Sequence, residues 1–407
     1  MARPAGNIRL KSARLAAGYA SQQGLADALG VGVRQVRRWE SDTPPWPQPE
    51  VGQALTRVLG QDLAQLGFTP PTGVQVDRGR RTVLAASAAV VGLAAVPKEA
   101  AGVQPASVAH DFLAVTRSHR HLYWSVAPAT LHPAAEAHAR LGCALLTETA
   151  GQTRRAVAAA LAESYLLAGR IEFFDMRDGD RANSTLLLAL QAAGEADDPL
   201  LGSAVLAHTA FIPAWVGNRD AAVERMVAAR TYARRGPASV EQLAWLDAVE
   251  AECETRCGNT RTALHLIHHA EDLLHAGGEH DSPEWLDWFS PVRLAAFKGN
   301  TELLAGHLPQ ARTTLLGVLD ALAPEEKQRT VVLGDLAAVE AAAGNPEAAC
   351  EYGIRALDQL ERTWYAMGMD RVREVRRALA PHQHERCVRE LDDRLYGWST
   401  TVSALAR

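Results

Sequence analysis

Residues 33–38 read Val-Arg-Gln-Val-Arg-Arg, a short run whose polar side chains suit one kind of chemistry. An arginine guanidinium is a planar fork that fits guanine O6 and N7, or a phosphate, with two hydrogen bonds, and a glutamine amide fits adenine N6 and N7 in the same way. Residues near the start of a helix that enters a DNA groove reach base edges, so Val33, Arg34 and Gln35 are the candidates for reading sequence. Arg37 and Arg38, further along, suit phosphates. Gln22, in the first turn of a preceding helical segment, would offer its amide and that helix N-terminus to backbone phosphate.

A second group invites a metal reading. Cys253 and Cys257 stand one helical turn apart, with His265, His268 and His269 following. Gly258-Asn259 interrupts the helix between the two sets, and helical cysteines commonly act as small apolar fillers, so no zinc is expected. His382 and His384 fall in a polar turn and read as solvent-exposed. No nucleophile–base set, phosphate loop or HExxH motif occurs, and neither an enzyme nor a cofactor is expected.

The cationic run needs elements to hold it. Leu25 and Leu29, four apart with Ala26 and Ala28 beside them, mark one helix. Gly30-Val31-Gly32 makes a tight turn, and Val36 and Trp39, three apart, supply the buried face of the next helix. An earlier helix from Ile8 to Ala17, with Leu10, Ala13 and Leu15 inward, stops at Gly18. Short helices joined by a glycine turn, with a third to close the core, set one helix proud of the surface. Charge agrees. Through Arg81 the chain has 11 basic and 6 acidic residues, while the rest has 31 and 41, a basic head on an acidic body.

Gln22, Leu25-Ala26, Leu29-Gly30-Val31, Val36 and Arg38-Trp39-Glu40 together resemble the Cro/C1-type (XRE) helix-turn-helix family. The resemblance implies a cytoplasmic DNA-binding regulator, dimeric on an operator of two half-sites. Two departures stand out. Gly32 occupies the position where the family commonly has a serine cap, and the Pro/Trp-rich segment Thr43 to Pro49 lengthens the connection to the fourth helix.

Alanine and leucine abound and aromatics are 6%, a balance that favours helix over sheet. The expected organisation is all-α: a head over 1–68, a linker over 69–106, and a helical body over 107–407. Five cysteines, an odd and scattered count, suit a reducing compartment, and residues 1–20 lack the apolar core of a signal peptide. Within the linker, Arg80-Arg81 and the apolar stretch 82–97 resemble a twin-arginine export signal. Sixteen Ala-rich residues fall short of the ~20 that span a bilayer, so a buried or interdomain helix is expected. A membrane tether that puts the body outside the cell is the alternative.

The body shows a repeat in which a glycine ends one helix and a small residue recurs five positions later. The sets are Gly217/Ala222, Gly258/Ala263, Gly306/Ala311 and Gly344/Ala349, with Gly179/Ser184 as a degraded first member. Alanines 229, 270 and 356 extend the same face. This pattern resembles the tetratricopeptide repeat, although the family's aromatic positions are mostly absent and the spacing between glycines, 38 to 48 residues, exceeds its 34. The resemblance implies an α-solenoid whose first helices line a concave side, which by position selects Phe211, Trp245, Glu252, Arg293 and Asn300 for a peptide, small-molecule or protein partner. Trp285, Trp288 and Phe289 are expected to seal an inter-repeat turn. Regulators that join this head to such repeats respond to peptides that alter the spacing or freedom of two heads.

Overall fold

The computed structural model describes residues 7–17, 19–41, 44–59, 63, 66–68, 104–323 and 326–405, all helical or irregular in conformation. The apolar stretch 82–97 and the expected stop at Gly18 lie outside the described residues. The chain divides into two compact units, Met1–Lys98 and Glu99–Arg407. Among the described residues no helix is long and apolar enough to cross a membrane.

The first unit contains α1 (Ile8–Ala16), α2 (Gln22–Leu29), α3 (Val33–Trp39) and α4 (Pro49–Leu59). Leu10, Leu25, Val36 and Leu55 are fully buried, and the Trp39 ring meets Phe68 edge-on at 6.2 Å. Leu15 is not inward as the sequence suggests. It is 51% exposed, because Arg14 turns in beside it and occupies the interior. At the turn, Gly30 takes φ +65° and the Val31 amide returns to the Ala26 carbonyl at 3.0 Å, the left-handed stop that only glycine adopts freely.

The second unit opens with α5 (Ser107–Leu122) and α6 (Pro128–Glu148). Five hairpins follow: α7 (Gly151–Arg170) with α8 (Gly179–Ala196), α9 (Pro199–Trp215) with α10 (Arg219–Ala233), α11 (Val240–Arg256) with α12 (Thr260–Ala276), α13 (Pro291–Leu304) with α14 (Leu308–Ala321), and α15 (Gln328–Ala342) with α16 (Pro346–Arg362). Helices α17 (Ala366–Ala378) and α18 (Arg386–Leu405) come last.

The glycine stops behave as their spacing suggests. Gly217, Gly258, Gly306 and Gly344 have φ between +73° and +83°, and Ala222, Ala263, Ala311 and Ala349 are buried where the second helix crosses the first. In the first hairpin the stop is not Gly179 but Arg177, two residues earlier. Ser184 is exposed, whereas Ala182 and Ala189 are buried and Arg177 holds the left-handed position with φ +61°. A π-turn over Ile171–Asp175 also adds one residue to the end of the first helix. The closing bond shows the insertion directly. Asn218 and Asn345 amides reach back five residues to Pro213 and Glu340, but the Asp178 amide reaches back six, to Glu172.

Candidate nucleic-acid interface and the recess of the repeat body

In the first unit, Val36 and Trp39 hold α3 on the core while Arg34, Gln35, Arg37 and Arg38 are exposed and Val33 is half-buried at the helix start. Spacing explains this, since residues three apart share a face and the intervening ones point away. Gly32 begins α3 in an extended conformation without a side-chain cap. Among the described residues none of the three α3 guanidiniums is in an ion pair. The nearest carboxylate in sequence, Glu40, is turned inward instead. It takes Arg14 Nε at 2.7 Å with both side chains at most 7% exposed, and accepts from Gln22 Nε2 at 2.6 Å. Arg14 also donates to the carbonyls of Tyr19 and Ala20. Glu40 therefore ties α1, the α1–α2 turn, α2 and the end of α3 together, and among the described residues the cationic face of α3 has no ion-pair partner. Gln22 is committed through one N–H to this tie. Asn7 closes the domain, donating to the carbonyls of Trp39 and Leu66.

In the second unit, Phe211, Trp245, Glu252, Arg293 and Asn300 all line one recess, with a cavity volume of about 130 Å³. They come from α9, α11 and α13, each the first helix of its hairpin. Val332 and Asp335 of α15 and Arg371 of α17 extend the wall. Trp288 and Phe289, two of the three aromatics placed by sequence in a turn, line it too.

One end of the recess is cationic and aromatic. Lys327, 1% exposed, pairs with Asp175 at 2.9 Å and stands 3.3 Å from the centre of the Tyr123 ring. Burial pulls its pKa down to about 8, with Asp175 opposing, and burial likewise raises the Asp175 carboxyl. Arg293 lies 4.3 Å over Trp124 and pairs with Glu326 at 2.6 Å. Arg170 stacks among Tyr123, Trp124 and Trp288. His208 is held neutral, its pKa lowered to about 3 by burial and then by Arg170. At the other end Arg371 meets Asp335 at 2.8 Å, and Arg256 meets Glu252 at 3.0 Å. Burial pushes the Asp335 carboxyl up to about 6, Arg371 opposing and Glu252 adding to it.

The remaining candidates disperse. Cys253 is buried in α11, while His265 and His268 are exposed and His269 pairs with Asp247 at 2.6 Å. His382 is half-exposed against Glu385, and His384 is exposed. A different trio, His132, Glu136 and Glu172, brings ligand-type atoms within 4.8 Å of one another. Arg181 bridges its two carboxylates at 2.6 and 2.9 Å, so the trio is engaged in an ion-pair network.

A four-helix core that projects a cationic third helix defines a helix-turn-helix domain, joined in this chain to a helical body. Residues 10–66 match the family model described as Helix-turn-helix, of the XRE type, which supports a DNA-binding regulator. No curated protein matches the chain. Among solved structures, the crystal structure of BtubC (BKLC) from P. vanneervenii is similar over 58% of this chain and 92% of its own, with 16% identity and a TM-score of 0.40. A likeness that distant carries nothing to this chain's function.

Proposed function

We propose that this protein is a cytoplasmic, sequence-specific transcription regulator that performs no catalysis. As a homodimer it would set two copies of α3 into the major grooves of half-sites about 34 Å apart or a multiple of it. Arg34 and Gln35, with Val33, read base edges, while Arg37, Arg38 and the start of α2 beside Gln22 hold phosphates. The observation that carries this is the exposed cationic face of α3, in no ion pair among the described residues, on a helix anchored by Val36 and Trp39. The recess of the body takes an effector, a peptide or small molecule, whose binding biases how the two heads engage.

Titrating the full chain with a duplex recovered from its genomic sites, and with a scrambled duplex of equal length, tests this at several salt concentrations. The recovered duplex is expected to bind at least 10³-fold more tightly. Equal affinity for both duplexes with a steep salt dependence would instead describe a repeat scaffold whose head binds DNA without regard to sequence.

A further inference from the structure

We infer that the recess takes a ligand with a single negative charge, a carboxylate that docks on Arg170 while an uncharged, largely apolar body lies along the aromatic wall. This rests on the reading of the recess as an effector site and adds the chemistry of its occupant.

Arg170 is the last residue of α7 and is 8% exposed. Its guanidinium lies 4.6 Å from the Trp288 ring centre and 4.9 Å from that of Tyr123. Among the described residues no carboxylate stands within ion-pair distance of it, and its Nε is buried without an acceptor. Ring faces attract a cation but accept no strong hydrogen bond from it. A buried charge without a counter-charge is costly, and so is a buried N–H without an acceptor.

The neighbouring cations cannot share the deficit, because each already has its partner. Lys327 holds Asp175 and Arg293 holds Glu326. His208 is neutral, and burial keeps the protons on Tyr123 and Tyr365. This end of the recess thus carries three positive and two negative charges, an excess of one. A carboxylate cancels it. A phosphate monoester, with close to two negative charges, would overshoot and leave a buried anion in excess, so the carboxylate is the better match. The fork geometry of the guanidinium also suits a carboxylate's two oxygens.

Four further orphaned atoms face the same recess: Arg371 Nε and Asp335 Oδ1, whose ion pair at 2.8 Å lacks hydrogen-bond alignment, and one each on Asn300 and Trp288. Asn300 is 4% exposed and its Oδ1 has no donor, while Trp288 Nε1 has no acceptor. One asks for an N–H, the other for a carbonyl or carboxylate oxygen, as an amide-bearing ligand supplies. Trp245, Phe211 and Phe289 offer apolar faces between them. At the far end Arg371 and Arg256 are already paired with Asp335 and Glu252, so no second charge is needed there.

The test uses the full chain and two families of probe, each in matched acid and amide forms. One is a pool of N-acetylated tetrapeptides of uncharged residues ending in either a free carboxylate or a carboxamide. The other is a set of arylalkanoic and alkanoic acids with their primary amides. Affinity is read by calorimetry. The acid form of one family, which identifies the source of the carboxylate, is expected to bind about ten- to a hundredfold more tightly than its amide, as a charge-assisted hydrogen bond provides. Arg170→Gln should abolish that difference, and Arg170→Lys should keep part of it. If the Gln variant does not fold, the acid–amide comparison on the unaltered chain and on Arg170→Lys still decides. Equal binding of acid and amide overturns the anion assignment while the effector reading stands. An acid preference undiminished in Arg170→Gln overturns the assignment to Arg170. Binding by neither family overturns both readings.

Discussion

Replacing Arg14 by methionine should unfold the DNA-binding head while leaving the body intact. The change keeps the length of the side chain and removes its charge, so that Glu40 remains buried with only the Gln22 amide as partner. Breaking a buried ion pair from one side costs about 3–5 kcal/mol. A domain of ~60 residues has a total stability of about 3–9 kcal/mol, so this one loss removes most of it. The carbonyls of Tyr19 and Ala20 also lose their donor, which adds to the effect. Hydrogen exchange resolved along the chain is the assay, because it reports each unit separately. Amides of α1 to α3 should lose protection by a factor of a hundred or more, and those of α7 to α16 should not change. Combining Arg14→Met with Glu40→Leu removes both charges and should recover most of the loss. If Arg14→Met alone lowered protection in α1 to α3 by less than about 1 kcal/mol, the inward ion pair would not be what assembles the head.

Three other outcomes follow from the geometry. Asp335 has a folded-state pKa of about 6 against 3.8 for an ordinary aspartate, so between those values the native chain holds a proton that the unfolded chain has lost. Its contribution to stability is therefore greatest below pH 4 and falls by about 3 kcal/mol as pH rises through 6; urea titrations should show that slope vanish in Asp335→Asn. Gly344→Ala puts a Cβ on a residue with φ +81° where nothing lies within 4 Å, so its cost is backbone strain alone, about 1–2 kcal/mol by thermal unfolding. Arg37→Ala or Arg38→Ala should weaken all duplexes alike and flatten the plot of log affinity against log salt by about one unit per residue in each head.

Much of the head is legible in the sequence because its constraints are local. Gly30 must be left-handed, Val36 and Trp39 must face the same way, and the arginines between them have nowhere to go but outward. What eludes local reading is the inversion of Arg14 and Leu15, since the partner that draws Arg14 inward, Glu40, lies 26 residues further on. In the body, four glycine stops announce their hairpins, whereas the first hairpin hides its stop because a non-glycine residue, Arg177, holds the left-handed position. The positions that the tetratricopeptide resemblance selects, Phe211, Trp245, Glu252, Arg293 and Asn300, line one recess, because equivalent positions on stacked first helices share a side. That resemblance could not supply Arg170 and Lys327. Those depend on contacts such as Lys327 with Asp175, 152 residues apart, which carry no periodic signature.

The most direct measurement maps where the protein sits on the genome, in parallel for the unaltered chain, Arg34→Ala and Gln35→Ala, all matched for abundance and folding. If α3 reads base edges, both substitutions should empty or redistribute the occupied sites, each contact being worth about 1–3 kcal/mol of discrimination. Unchanged sites at unchanged occupancy in both variants would contradict the account, because the outward face of α3 would then have no part in choosing where the protein binds.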